Sequence, residues 1–390
     1  MELNGQQREQ QRKFRDFVDK HVTPCAGSWD REEKIPLEIV RQLSEQRYLG
    51  ALAPAERGGA SMDMIGFGLL NEELGRGCSS IRSLLTVHSM VAVTVLRWGT
   101  KEQKERWLEG LARGQVVGAF ALTEADAGSD AKAIRTEAIA SGNEFLISGH
   151  KKWITFAQIA DVFLVFAQSQ HGPCAFLLER GTPGLKISSV AGMLGTRASM
   201  GGELHMEGCR VSKQNLIGAP GFGLSHVASS ALDCGRYSVA WGSVGIAQAC
   251  LESCLHYTAQ RKQFGAFLKD HQLIQRMITQ MVVDTKAARH LCYNAGRLKA
   301  SGDPASLIET SIAKYFACRT AARIARDAVQ IHGANGCSGD FPVERFFRDA
   351  KIMEIIEGSN EIQEITIAES AYQQMEEDLR GWQVEKKESA

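Results

Sequence analysis

A glutamate delivered onto a glycine is the chain's clearest offer of chemistry. In Lys351-Ile-Met-Glu-Ile-Ile-Glu-Gly-Ser-Asn-Glu-Ile-Gln363, Glu357 follows the apolar pair Ile355-Ile356 and precedes Gly358. Apolar neighbours draw a carboxylate out of water and raise its proton affinity, which suits it to removing a weakly acidic proton beside a carbonyl. Gly358 lets a ligand come close to the backbone. Glu357 is therefore the candidate base, although an ordinary helix-end glutamate would have the same local sequence.

Other segments carry matching functions, each with a plainer alternative. Phe120-Ala-Leu-Thr-Glu-Ala-Asp-Ala-Gly-Ser-Asp130 can present amide and hydroxyl donors to a polar ring edge and a phosphate, or be an acidic turn. Lys151-Lys-Trp-Ile-Thr155 places a large ring two residues from a hydroxyl, on one face of a strand, or holds a core tryptophan. In Arg261-Lys-Gln-Phe-Gly265, with His271-Gln272 beyond, the arginine can hold a pyrophosphate or act as a helix C-terminal cation. Gln330-Ile-His-Gly-Ala-Asn-Gly336 can admit a cofactor backbone or be a glycine-rich helix stop. His332 has no acid or nucleophile partner in sequence and receives no catalytic role. Arg82 precedes the apolar run Leu84 to Val95 and needs an anionic or carbonyl partner. Glu72 or Glu73 would serve, as would plain exposure.

The elements that must position these residues follow from periodicity. Phe14, Phe17, Val18 and Val22 recur at helical spacing, Pro36 opens a second helix, and further helices are expected over Met64–Leu74, Ser83–Trp98 and Thr100–Leu111. From about Val117 short β-rich pieces alternate with turns: Phe145–Ser148, Val162–Ala167, Ala175–Leu178 and Leu185–Ser188. Long helices then return over Ser225–Gln260, His271–Ala300 and Pro304–His332, as in a bundle. The implied order is α, β, α: an N-terminal helical domain over 1–116, a middle β domain over 117–222, a bundle over 223–375 and a loosely held charged tail over 376–390. A doubly wound nucleotide fold is disfavoured, since strands do not alternate with helices and no GxGxxG follows a strand.

At 390 residues the chain has room for more than one core. Basic and acidic residues balance at 45 each, so no net field recruits nucleic acid or an anionic membrane. No apolar run is expected to span a bilayer. The ten cysteines form no CxxC pair, and residues 1–12 are polar rather than a signal, so a cytoplasmic location is expected. Cys250 and Cys254 share a helix face without the partners of a metal set, so no metal is expected.

Taken together and in this order, the motifs resemble the acyl-CoA dehydrogenase family from about Gln7 to Ser370. The resemblance implies an N-terminal α domain, a middle β-barrel and a C-terminal four-helix bundle, holding FAD at the interface of a homodimer or homotetramer. It implies that Phe120, Leu122, Thr123, Gly128 and Ser129 form a first flavin loop and Trp153, Ile154 and Thr155 a second, with Thr155 toward flavin N5. Arg261, Phe264, Gln272, Gln330, Gly333 and Ala334 would reach the FAD of a neighbouring subunit, and Ser359 and Glu361 match further flavin contacts. Ser129, Asp233, Arg236 and Gly358 match positions around the thioester ligand. Glu357 matches the base of the short- and medium-chain members: it would take the proton alpha to the thioester as hydride leaves the next carbon for N5, with the Glu357 N–H and a flavin ribityl hydroxyl polarising the carbonyl. Electrons would pass to an electron-transfer flavoprotein or another acceptor.

Departures narrow the substrate. Ile356-Glu-Gly-Ser359 stands where the family usually has Tyr-Glu-Gly-Thr, Phe156 replaces the usual Asn, and Ala125-Asp126 replaces Pro-Gly. Cys78-Ser-Ser-Ile-Arg-Ser83, Gly235-Arg-Tyr-Ser-Val-Ala-Trp-Gly242 and Lys351–Ser359 are similar to the dehydrogenases that act on acyl carrier protein in making hydroxymalonyl or methoxymalonyl polyketide extender units. Arg82 also matches the position at which glutaryl-CoA dehydrogenases hold a distal carboxylate. A short polar acyl group on a carrier protein is therefore the expected substrate, with a short-chain or dicarboxylyl CoA ester of catabolism as runner-up. A non-catalytic flavin or thioester binder and an oxidase are the rivals.

Overall fold

The computed structural model describes residues 2–388. Six helices come first: α1 (Gly5–His21), α2 (Ala26–Glu32), α3 (Leu37–Glu45), α4 (Met64–Gly77), α5 (Ser79–Trp98) and α6 (Lys101–Ala112). Capping decides where several begin. Asn4 and Gln7 form a capping box on α1, Thr100 and Gln103 another on α6, and the Asp63 carboxylate accepts the Gly66 N–H at the start of α4. Phe14, Phe17 and Val18 are buried from α1, as their spacing requires. Helix α5 is long and apolar enough to cross a membrane by length and composition, contrary to the sequence expectation, yet it is the buried core helix of this domain.

An eight-stranded sheet follows, built of β1 (Gly118–Ala121), β2 (Glu137–Ser141), β3 (Glu144–Ile154), β4 (Val162–Ser169), β5 (Gly172–Glu179), β6 (Leu185–Ser189), β7 (Gly202–Ser212) and β8 (Leu216–Ile217). Its order is β6-β7-β3-β2-β4-β5-β8, with β1 parallel to β4. His88 of α5 ties the first domain to it: Nδ1 accepts the Gly118 N–H at 3.2 Å and Nε2 donates to Leu111 O at 3.0 Å. Burial lowers its pKa to about 4, so the ring is a neutral strut.

The C-terminal part comprises α7 (Ser229–Gln260), a β9 (Lys262–Gln263) and β10 (Ala266–Phe267) hairpin, α8 (Gln272–Ser301), α9 (Ser306–His332), α10 (Val343–Met353) and α11 (Asn360–Glu388). A π-helical turn over Gly223–Ala228 precedes α7, where sequence periodicity implied ordinary helix from Ser225. There the Val227 N–H reaches back five residues to Phe222 O. Helix α11 continues through residue 375 to Glu388, across the position where a charged tail was expected to begin; residues 389–390 of that tail lie outside the described residues. Helix α7 lies close against α4, because Gly75 and Gly242 leave no side chain between them: a Cβ on Gly75 would stand 2.4 Å from Gly242 O. This close approach sets α5 and α7 around the site.

Candidate active site

Glu357 lies in the turn between α10 and α11, with φ +56° beside Gly358 at φ +88°. A left-handed glutamate persists only where its surroundings hold it. Here both carbonyls of the turn are held. Glu357 O accepts Arg236 Nε of α7 at 3.1 Å, and Gly358 O accepts Lys314 Nζ of α9 at 2.8 Å and Gln363 Nε2 of α11 at 3.2 Å. The Glu357 N–H meets no acceptor among the described residues, which leaves it available to a ligand.

The carboxyl end is withdrawn from water. Its Oε2 is buried and has no hydrogen-bond partner among the described residues. A Cβ on Gly235 would stand 2.4 Å from that oxygen and 3.0 Å from Met90 Sδ, so only glycine on this face of α7 admits the carboxyl. Burial raises the pKa to about 7, against the opposing pull of Arg236, Arg82 and Lys314. A carboxylate poised near neutrality, with one free oxygen, is a competent general base.

Arg82 is fully buried on α5. Its Nη1 donates to Thr86 Oγ1 at 3.0 Å, its Nη2 reaches Ser83 Oγ at 3.0 Å and Met353 Sδ at 3.2 Å, and its Nε has no partner among the described residues. The anions that the sequence offered it are engaged elsewhere: Glu72 pairs with Arg289 at 2.6 Å and Glu73 with Arg76 at 2.6 Å. Among the described residues no carboxylate lies within ion-pair distance of Arg82. Burial lowers its pKa to about 10, opposed chiefly by Glu357, so it stays a cation at neutral pH. A chain of hydroxyls solvates it. Thr86 Oγ1 lies 2.5 Å from Ser238 Oγ, which donates to Asn71 Oδ1 at 2.5 Å, while Asn71 Nδ2 is fixed on Phe67 O at 2.8 Å.

The two expected flavin loops are brought together. Lys152 N donates to Thr123 O at 2.9 Å, and buried Lys151 donates to Leu122 O at 3.0 Å and Glu124 Oε1 at 2.7 Å. Phe120 stacks at a tilt on Phe166, with centroids 5.1 Å apart. Leu122 and Ile154 are buried, while Gly128 and Ser129 are exposed. Trp153 and Thr155 do not share a strand face as the alternation implied. The β3–β7 register shifts between Lys151 and Ile154, Trp153 takes φ +61°, and Thr155 follows the strand's end. The bulge turns the Trp153 ring outward, half exposed.

A second group forms at the C-terminal ends of α7 and α9. The Tyr257 ring stacks on His332 at 4.2 Å and its hydroxyl donates to His332 O at 3.3 Å, which ties the end of α7, just before Arg261, to the end of α9, where Gln330, Gly333 and Ala334 lie. Phe264 is 98% exposed with φ +51°, and Gly333 has φ +61° and ψ −136°, a conformation glycine tolerates. No hydrogen bond or ring contact among the described residues joins this group to the first. Ser359 lies beside the base, where its hydroxyl helps lower the pKa of Glu361. Asp233, expected at the ligand, pairs with Lys299.

These residues fit a flavin on their own features. Trp153 and Phe264 are large rings left uncovered, and Gly128 and Gly333 stand where an added Cβ would meet nothing within 4 Å. Sequence reasoning missed Lys314, Gln363, Gly235 and the Glu124–Lys151 pair. Glu124 lies within the first loop and Lys151 beside the second, but nothing in their spacing announced a buried pair. Lys314 sits mid-helix and reads as a surface lysine.

Three family models match: acyl-CoA dehydrogenase N-terminal domain over residues 4–115, middle domain over 119–209 and C-terminal domain over 223–372. A glutaryl-CoA dehydrogenase of Desulfococcus multivorans is 37% identical, covering 92% of this chain and 94% of its own. A short-chain specific mitochondrial acyl-CoA dehydrogenase of Rattus norvegicus is 37% identical over 91% of this chain and 87% of its own. Among solved structures, a Mycobacterium smegmatis glutaryl-CoA dehydrogenase in complex with FADH2 superposes with TM-score 0.91 at 30% identity, covering 95% of each chain. The prolyl acyl carrier protein oxidase AnaB gives 0.90 at 29%, covering 95% of this chain and 100% of its own. FkbI, described for biosynthesis of the methoxymalonyl extender unit of a polyketide, gives 0.85 at 32%, covering 93% and 99%.

Proposed function

Because the chain belongs to the acyl-CoA dehydrogenase family, an FAD-dependent group of oxidoreductases acting on CH–CH donors, we propose that it oxidises a short acyl thioester bearing a polar or anionic end, carried on acyl carrier protein. The observation that carries this reading is Arg82: a fully buried guanidinium whose Nε has no partner and which has no carboxylate within ion-pair distance among the described residues, with Glu357 foremost of the charges that act on it. A purely hydrocarbon acyl chain would leave that cation without an anion, at a cost in desolvation.

FAD, when bound, supplies the hydride acceptor. Glu357 takes the alpha proton at its free oxygen, while its backbone N–H donates to the thioester carbonyl. Arg236, Lys314 and Gln363 hold the turn so that carboxyl and N–H stay aimed together. Arg82 anchors the far end of the acyl group, with Thr86, Ser238 and Asn71 fixing its orientation. Trp153 and Thr155 would hold the flavin from one subunit, and Arg261 and Phe264 from its neighbour in a homodimer or homotetramer, with an electron-transfer flavoprotein or another acceptor as the electron partner.

Likeness to AnaB, a prolyl acyl carrier protein oxidase, supports the carrier protein, and likeness to FkbI, of methoxymalonyl extender-unit biosynthesis, supports a short polar acyl group. A dicarboxylyl CoA ester is the second reading, supported by Arg82 and the glutaryl-CoA dehydrogenase relative. Matched thioesters of one polar three-carbon acyl group, on CoA and on carrier protein, separate them. Preference for the carrier-linked form in kcat/KM is expected, and turnover of CoA esters alone would remove the carrier-protein assignment. Peroxide formed in step with turnover would make the protein an oxidase.

A further inference from the structure

We propose that His150, Glu203 and His205 form a surface site for a divalent transition-metal ion such as zinc. This site is separate from the flavin chemistry and does not depend on it. His150 on β3 and His205 on β7 are direct register partners, and Glu203 lies two residues along β7, on the same face of the sheet. The imidazoles stack with centroids 4.1 Å apart. Both Nε2 atoms converge on one carboxylate oxygen: Glu203 Oε2 is 2.8 Å from that of His150 and 3.7 Å from that of His205. All three donor atoms lie within 4.8 Å of one another. Donors on a tetrahedral zinc stand about 3.4 Å apart, given metal–ligand bonds of about 2.1 Å. Side-chain rotation on this half-exposed face brings the three to that spacing without moving the strands.

The ligand class follows from the donor set. Two imidazoles and one carboxylate suit zinc, copper, nickel or cobalt rather than calcium or magnesium, and leave open positions for water or a further ligand. Lys152 Nζ lies 3.5 Å from Glu203 Oε1, so the single carboxylate is already shared with a cation. The site also touches the flavin loop, since the Lys152 ammonium lies 4.8 Å from the centroid of the Trp153 ring. A metal that takes Glu203 removes Lys152's partner beside that ring. His150 is about fifty residues from Glu203 and His205, and no metal spacing announced the group.

The test is calorimetric titration of zinc into flavin-loaded, chelator-treated protein. A Cys337→Ser background removes the exposed thiol as a competing ligand. One ion per chain is expected, with affinity lowered about tenfold or more by either His205→Ala or Glu203→Gln. Circular dichroism and flavin content should be unchanged in both variants, which keeps a folding defect distinct from loss of a ligand. Zinc bound equally by parent and variants, or no uptake at millimolar zinc, would overturn the site.

Discussion

Arg82 and Glu357 are served by two glycines on one face of the same helix. Gly235 of α7 clears space for the Glu357 carboxyl, and seven residues on, Gly242 clears space for the Arg82 stem, where a Cβ would meet Arg82 Cδ at 2.7 Å. Ser238, between them on that face, begins the hydroxyl chain to Thr86 and Arg82. Seven residues are two helical turns, about 10.5 Å of rise, so the two glycines lie on the same face of α7 and open it to the base and to the anchor in turn.

The Glu357 environment predicts a pH signature. With its pKa raised from 4.5 to about 7 by burial, activity depends on the ionised form and kcat/KM falls as pH drops through about 7. The sign for stability is the reverse. The folded-state pKa lies above the unfolded one, so ionising Glu357 costs stability progressively from pH 4.5 to 7, in full above that. Glu357→Gln therefore raises the unfolding midpoint at pH 8 and leaves it nearly unchanged at pH 4.5. An equal effect at both pH values would contradict the raised pKa.

Gly235→Ala tests the fit of the carboxyl. The new methyl displaces Glu357 by a large fraction of an ångström, which predicts a fall in kcat of about 10- to 100-fold with flavin still bound. Steady-state kinetics and the visible flavin spectrum check both parts, and wild-type kcat would place the reacting oxygen elsewhere.

Arg82→Met separates anchoring from chemistry. For an acyl group with a polar or anionic end, kcat/KM should fall by about 10²-fold, while an unsubstituted short chain should lose much less. Folding should not suffer, because an apolar side chain replaces a buried, unpaired charge. Equal losses on both substrates would remove the anchoring role.

Lys151→Met leaves Glu124 as a buried carboxylate without its cation, and should destabilise the protein by about 3 kcal/mol and weaken FAD retention. Adding Glu124→Gln should recover much of the stability. Denaturant unfolding of the single and double variants measures the coupling, and additive effects would show that the pair does not hold the loops.

The α, β, α order was legible because long helices repeat their apolar residues faithfully, as α8 and α9 do. Strand β7 was missed because Glu203, Glu207, Gly208 and Arg210 dilute its alternation, and its pairing with β3 is non-local. The Trp153 bulge was illegible for a related reason: alternation presumes an unbroken register, and positive φ at a tryptophan leaves no compositional mark. Glu357 and Arg82 could be singled out because each breaks an apolar context. Their partners could not. Lys314 is an ordinary lysine until α9 packs beneath Gly358, and Gly235 is an ordinary helix glycine until the carboxyl meets it.

The most direct measurement is anaerobic mixing of flavin-loaded wild type and Glu357→Gln with a polar three-carbon acyl thioester, followed at the visible flavin band. Wild type should bleach, and the variant should keep its yellow colour while bleaching about 10²- to 10⁴-fold more slowly. Bleaching of Glu357→Gln at the wild-type rate would show that another group removes the proton.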